Sequence, residues 1–273
     1  MKIQYLGTAA AEGIPAVFCN CDLCRKARIA GGKNLRTRSQ ALIDGKLLID
    51  YPPDSYTHMQ SYKLNFATIS SIIVTHSHQD HFYPWDFIFR SSPYGFNYAG
   101  KLTVYGNDKV TKKGQELIAQ HFLQDKNAVE FQYLEPFKPF EVEGITVTAL
   151  LATHDPNEHC YIYLLEKEGK RLVYAHDTGF FPEVTFSYLY GKHCNLLSLD
   201  CTMGRLNDGH YHMGLSDDIS LVEKLTDMGC CCSDTTVVLN HFSHNGGLLY
   251  EELNQLVASR GYTVAYDGLE IEV

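Results

Sequence analysis

The sequence predicts an α/β (α+β) chain in which one sheet packs on another and helices lie outside. Three observations carry that reading. Short runs rich in Val, Ile, Leu and Tyr recur along the 273 residues, many of them bounded by turn residues. Helical periodicity is confined to a few segments, concentrated late in the chain. Several strands follow one another in hairpin-like succession, which strict βαβ alternation would not give.

Taken in order, KIQYLG, ALID with KLLID, and SIIVT are the first strands. KLTVYG and VEFQYL flank a helical segment over 109–122, whose apolar positions are Val110, Leu117, Ile118 and Phe122. ITVTALL, CYIYLLE, KRLVYA, NLLSLD, TTVVLN and LEIEV complete the strands. A helix with Ser216 as N-cap carries Ile219, Leu221, Val222, Leu225 and Met228 and stops at Gly229. Another, after Gly247, carries Leu248, Leu249, Leu253, Leu256 and Val257 and stops at Gly261. No linker-like stretch, low-complexity tract or internal repeat divides the chain, so 1–273 reads as a single domain.

Charge narrows the partners. Lys and Arg total 23 against 32 Asp and Glu, a net charge of −9. That balance argues against long nucleic acids, whose phosphates need a basic footprint. It says less about a small anionic substrate, because a metal can supply local positive charge. The N-terminus MKIQYLGTAAAEGIP has no apolar run of signal-peptide length, and no window approaches a membrane span. The cytoplasm is the expected compartment, with a homodimer allowed. Nine cysteines fall into Cys19/Cys21/Cys24, Cys230/Cys231/Cys232 and the scattered Cys160, Cys194 and Cys201. In a reducing compartment, clustered cysteines read as metal ligands before disulfides. The CCC run reads as core or loop filler.

The chemistry concentrates in SIIVTHSHQDHF, where His76, His78, Asp80 and His81 follow an apolar run. A strand end is a rigid platform for ligands. In extended chain, positions i and i+2 project to one side, so His76 and His78 can hold one metal. After the turn, Asp80 and His81 can face a second. His154, Asp177 and His241 repeat the pattern, each just past an apolar run. His159 competes with His154, and His176 points to the opposite face if its strand continues. Asp177 has two oxygens and can bridge two metals. A chance occurrence of three His and an Asp at these offsets is expected in roughly one such chain in several hundred.

This order of H-x-H-x-D-H, His, Asp and His resembles the metallo-β-lactamase-fold hydrolases. The resemblance implies an αββα four-layer sandwich with a dinuclear site on one edge of the two sheets. It implies that His76, His78 and His154 bind one metal, that Asp80, His81 and His241 bind the other, and that Asp177 lies between them. It also places Asp50, which closes KLLID, in a supporting role behind the ligands. His78 stands where the redox diiron branch usually carries Glu, which favours hydrolysis.

FCNCDLC supplies a second cluster, Cys19, Cys21 and Cys24, and His244 in HFSH is a candidate fourth ligand for a closed tetrahedral zinc site. With LGTAAAEGIPAVFCNCDLCRKA and the terminal YDGLEIEV, this resembles the phosphoribosyl cyclic phosphodiesterase (PhnP-like) branch nearly end to end. That branch uses a histidine between the bridging Asp and the late His to assist the leaving group. The match here is GHYHMGLSD, with His212 favoured over His210. Two departures bear on substrate. The segment FYPWDFIFRSSPYGFNYAG replaces the usual glycine-containing continuation, and YPPD follows Asp50. The aromatics of the first could wall a substrate or cover a sheet edge.

The expected function is a dinuclear-metal phosphodiesterase that hydrolyses small phosphodiesters, cyclic ones included, by a bridging hydroxide. Its cofactors would be two catalytic divalent ions (Zn, Mn or Fe) and one structural Zn, and its catalytic residues His212 and Asp80. The alternatives are a thioester, lactone or β-lactam hydrolase, a tRNA-processing nuclease, and a zinc-stapled binding module.

Overall fold

The computed structural model describes every residue except 122–124, 126 and 207–208. Phe122, expected on a helix face, lies outside the described residues. In chain order the strands are β1 (Lys2–Gly7), β2 (Gln40–Ile43), β3 (Leu47–Ile49), β4 (Ser71–Ile73), β5 (Leu102–Gly106), β6 (Val129–Tyr133) and β7 (Phe140–Val142). They continue as β8 (Ile145–Leu151), β9 (Tyr161–Lys167), β10 (Lys170–Ala175), β11 (Leu196–Asp200), β12 (Thr236–Asn240), β13 (Thr263–Val264) and β14 (Glu270–Glu272). The helices are α1 (Asp22–Ala30), α2 (Ser55–Ser61), α3 (Asp108–Gln120), α4 (Glu183–Leu189), α5 (Leu215–Asp227) and α6 (Tyr250–Val257).

Two seven-stranded sheets result, ordered β14-β1-β2-β3-β4-β5-β6 and β13-β12-β11-β10-β9-β8-β7. Strand periodicity explains how they layer, because successive side chains leave opposite faces. Ala41, Ile43, Leu47, Ile49 and Ile73 of the first sheet join Val147, Tyr163 and Val173 of the second in one buried cluster. Their sequence neighbours Leu42, Leu48 and Ile72 belong to a separate cluster with Val110 of α3 and Phe87. On the far side, Leu221 and Leu225 of α5 and Leu253 and Val257 of α6 pack with the second sheet. Helix, sheet, sheet and helix thus make the αββα sandwich.

Both sheets contain parallel stretches, β3 to β6 and β10 to β13. The chain segments that follow β4, β8, β10, β11 and β12 carry the polar residues of interest. Ligand sites in α/β sheets form beyond such carboxyl ends.

Several boundaries depart from expectation. Helix α5 starts at Leu215, and Gly214, not Ser216, is its N-cap. The Gly214 amide donates to Asp217 at 3.0 Å, so a carboxylate in the first turn does the capping. Helix α6 starts at Tyr250, where Glu252 accepts the Leu249 amide at 2.9 Å, and Leu248 stays outside it. Helices α2 and α4 and strands β7 and β13 are too short for a clear periodic signal, and α1 escapes the apolar pattern because its buried face is only Cys24 and Ala27. Cys230 and Cys231 are buried as expected of filler, but Cys232 is exposed.

Candidate metal centre

The strand-end residues converge. His76 Nε2 lies 3.2 Å and His154 Nε2 3.4 Å from Asp177 Oδ2, and His78 Nδ1 lies 3.3 Å from His154 Nε2. On the other side of the same oxygen, His81 Nε2 is 3.1 Å and His241 Nε2 3.9 Å from Asp177 Oδ2, with Asp80 Oδ2 3.2 Å from His81 Nε2. Two four-residue donor sets therefore meet at Asp177: His76/His78/His154/Asp177 and Asp80/His81/Asp177/His241. His159 is exposed and takes no part, and His176 is buried with its Nε2 2.7 Å from Ser198 Oγ, behind the site.

The imidazoles are oriented from behind. Asp50 Oδ2 accepts from His81 Nδ1 at 2.7 Å, Thr202 Oγ1 accepts from His241 Nδ1 at 2.8 Å, and Thr75 Oγ1 lies 3.1 Å from His76 Nδ1. The Tyr211 carbonyl holds His154 Nδ1 at 3.2 Å. Each of these four rings is left with Nε2 as the nitrogen facing inward. His78 is turned around: Asp155 Oδ2 holds its Nε2 at 3.1 Å, so Nδ1 faces inward. Outer partners of this kind fix the tautomer and orientation of ligand histidines. Asp50 was expected here. Asp155, Asp200, Thr75 and Thr202 were not, although Asp200 closes NLLSLD just as Asp50 closes KLLID.

The backbone is strained where the donors leave their strands. Asp50, Asp177 and His241 have φ of 66°, 56° and 60°, the left-handed region that non-glycine residues rarely adopt. Such strain collects at functional sites, where the surroundings over-determine it.

Electrostatics point to missing positive charge. Asp50, Asp80, Asp177 and Asp200 are buried, and among the described residues their ion-pair partners are histidines only. Burial works against ionisation of Asp177, yet His241 and His154 outweigh it and hold its pKa well below the usual carboxylate range. Burial likewise opposes the charged form of His81, but Asp80 and Asp50 raise its pKa well above the ordinary value. His76 Nε2, Asp177 Oδ1 and His212 Nδ1 are buried without a well-directed hydrogen bond, although Asp177 Oδ2 lies 3.2 Å from the first and the other two lie 3.0 Å apart, a costly state for inward-facing polar atoms. Nitrogen and carboxylate donors in this arrangement fit a pair of divalent cations, which would engage these atoms and offset the buried charge.

His212 stands beside the two sets. Its Nδ1 is 3.0 Å from Asp177 Oδ1 and 3.5 Å from Asp200 Oδ2. Burial pulls its pKa down, but those two carboxylates push it up to about 11. Its loop is pinned by the Met213 amide on Asp200 Oδ1 at 3.0 Å and by the Phe180 amide on the Gly209 carbonyl at 2.9 Å. A Cβ on Gly179 would sit 2.1 Å from the His210 carbonyl oxygen, so only glycine lets the loop approach this closely. The cleft above, about 660 Å³, is lined by Glu12, His78, Asp80, His154, Met203 and His212 among others. None of the aromatics of segment 82–98 lines it. Phe82, Phe87 and Tyr98 instead pack on the outer face of the first sheet, where Phe87 is buried against Tyr51 with ring centroids 4.7 Å apart, while Trp85, Phe89, Tyr94 and Phe96 are exposed.

Cys19, Cys21, Cys24 and His244 form a separate group. Cys21 is the N-cap of α1, and His244 Nδ1 lies 3.5 Å from Cys21 Sγ and 3.6 Å from Cys19 Sγ. In a tetrahedral zinc site, Zn–S and Zn–N bond lengths place sulfur and nitrogen about 3.6 Å apart. The Cys21 thiol is lowered to about 6, first by the Cys24 amide and then by His244, whereas burial pushes Cys24 up to about 11.

Residues 46–242 match the model of the Beta-lactamase superfamily domain. A structure described as a new diphosphatase from the PhnP family superposes with a TM-score of 0.79 at 23% identity, covering 100% of this chain and 97% of that one. Zn(2+)-bound PqqB from Methylobacterium extorquens superposes at 0.76 and 20% identity, covering both chains fully. Among curated relatives, the chain is 26% identical over 164 residues to an octanoyltransferase of Porphyromonas gingivalis, 56% of this chain and 31% of that protein. It thus spans about a third of that relative, and it spans 48% of a Coenzyme PQQ synthesis protein B from Bradyrhizobium diazoefficiens. With the matched family model covering most of the sandwich, the chain belongs to the β-lactamase superfamily, and its two helix-flanked sheets are the metallo-β-lactamase sandwich.

Proposed function

We propose that this protein is a metal-dependent hydrolase, a phosphodiesterase for small phosphodiesters, cyclic ones included, working with two divalent metals. One observation carries the reading. Two donor sets share a single oxygen of Asp177, while its other oxygen lies 3.0 Å from His212, a histidine outside both sets that lines the same cleft. His76, His78 and His154 would hold one ion, Asp80, His81 and His241 the other, and Asp177 both. Bound there, the ions would supply the Lewis acidity that activates water at neutral pH and offsets charge on phosphoryl oxygens.

The rest falls to side chains. Asp50, Asp155, Asp200, Thr75 and Thr202 keep the ligand rings aimed. His212 is oriented through Nδ1 by Asp177 and Asp200, which leaves Nε2 as the nitrogen available to the cleft. As the water oxygen bonds to phosphorus and the ester P–O bond breaks, His212 gives its proton to the departing alkoxide. Lining residues include Glu12 and Asp80 but, among the described residues, no Lys or Arg. A substrate anion there depends on the metals for charge compensation, which suits the single charge of a diester better than the two of a monoester. The cysteine group would hold one structural zinc. The PhnP-family diphosphatase among the similar structures is consistent with a phosphoryl substrate.

Side-by-side assays test the reading. Hydrolysis of a chromogenic phosphodiester in preference to a phosphomonoester and a thioester is expected. Preference for the thioester would replace it with carbonyl hydrolysis.

A further inference from the structure

The run Cys230-Cys231-Cys232 takes no part in the centre or in the cysteine group. Its thiols divide: Cys230 and Cys231 are buried, while Cys232 is exposed on the loop between α5 and β12. Cys232 Sγ lies 2.7 Å from Asp234 Oδ1 and 3.3 Å from His193 Nε2, and His193 Nε2 lies 2.9 Å from Asp234 Oδ1. Three donors of three kinds, sulfur, nitrogen and oxygen, therefore face one point.

The arrangement is not a nucleophile relay. A relay places the nucleophile on one imidazole nitrogen and the carboxylate on the other. Here both the thiol and the carboxylate face Nε2. Three donor atoms mutually close around one point are instead compatible with a shared ion.

We propose that His193, Cys232 and Asp234 form a peripheral metal site for a borderline divalent ion such as Zn²⁺, with water completing the shell. Tetrahedral Zn–S, Zn–N and Zn–O bonds need ligand separations of about 3.4–3.6 Å, so each pair has to open by less than about 1 Å. Exposed side chains can do that while the backbone stays put. His193 and Asp234 are 38% and 66% exposed, so an ion reaches them from solvent.

The two loops are already tied together. The Cys194 amide donates to the Cys230 carbonyl at 2.7 Å, and Thr235 Oγ1 donates to the Cys194 carbonyl at 2.8 Å while accepting from the Cys232 amide at 3.1 Å. The trio stands at the amino ends of β11 and β12, whereas His241 follows the carboxyl end of β12. A five-residue strand separates the two edges by about 16 Å. An ion at the trio would clamp the α4–β11 loop to the α5–β12 loop without touching the catalytic edge.

Thiol labelling with peptide mapping tests the site in the intact protein carrying its other metals. A disulfide reagent labels Cys232, and Cys232→Ser removes that labelled peptide. At a buffered free Zn²⁺ ten times the dissociation constant, labelling of Cys232 slows about tenfold. His193→Ala and Asp234→Asn keep the zinc-free labelling rate and lose the protection. Unchanged labelling across Zn²⁺ concentrations up to the millimolar range overturns the site and leaves a hydrogen-bonded surface trio. Protection that survives both substitutions overturns it too, because the zinc would then sit elsewhere.

Discussion

The strand-end centre and the cysteine group meet in one short loop, at His241 and His244, yet they are built in opposite ways. The first is assembled from four separate chain segments, is buried apart from its cleft, and is aimed by a ring of carboxylates and hydroxyls. The second takes three sulfurs from six consecutive residues at the start of α1 and one imidazole from late in the chain, and Cys21 is exposed. On the proposed reading the contrast separates two uses of a metal: a buried, non-local set would keep its ions reachable from a cleft, whereas a thiolate set would tie distant parts of the chain together and contribute folding energy.

The sharpest way to break this division is Asp177→Ala. It removes the oxygen common to both donor sets, so turnover is expected to vanish and occupancy at both strand-end positions to fall, with the cysteine-bound zinc retained. Metal analysis alongside activity reads this, and full retention of both ions would deny Asp177 its shared place.

His212→Ala probes the same region without removing a proposed ligand. Activity on an alkyl diester should fall about 10²–10⁴-fold with metals and melting temperature unchanged. The loss should shrink on a nitrophenyl diester, whose leaving group needs no proton. Loss of an ion instead would make His212 a ligand, a role its grouping with Asp177, Asp200 and His241 also permits geometrically.

The supporting ring predicts a smaller effect. Asp50→Asn and Asp155→Ala should each cost about 10–100-fold in metal affinity or activity, as outer partners of ligand histidines do. Titrating metal into the stripped variants measures it, and wild-type affinity in both would reduce the ring to packing.

Cys21→Ser addresses the other region. It should lower zinc content by one ion and the melting temperature by several degrees, each kcal/mol lost corresponding to about 2–4 °C for a chain of this size. Residual activity per folded molecule should stay close to wild type. A larger loss of activity than of folded protein would mean that the short His241–His244 loop transmits the cysteine group's geometry to the centre.

What can be read in a linear sequence is spacing. His76, His78, Asp80 and His81 are recognisable because they are close together, and Cys19, Cys21 and Cys24 for the same reason. His154, Asp177 and His241 are recognisable because each follows an apolar run whose β-character is strong. Asp155, Thr75 and Thr202 carry no such signal. Short polar residues at strand ends are ordinary turn formers, and only the fold shows that these face an imidazole.

The longer strands, the two-sheet packing and the grouping of candidate donors were thus readable in the sequence alone, because apolar periodicity and residue spacing are local properties, whereas the short β7 and β13 were not. Tertiary structure decided the rest. It chose which ring nitrogen of each histidine faces inward, since that depends on partners far along the chain. It packed Phe82, Phe87 and Tyr98 onto the outer sheet face and kept the aromatic segment out of the cleft, and it drew His212 to Asp177 through a loop pinned on Asp200. It also set Cys232 apart from two buried neighbours of identical chemistry, because exposure is a property of the packed molecule and not of the residue.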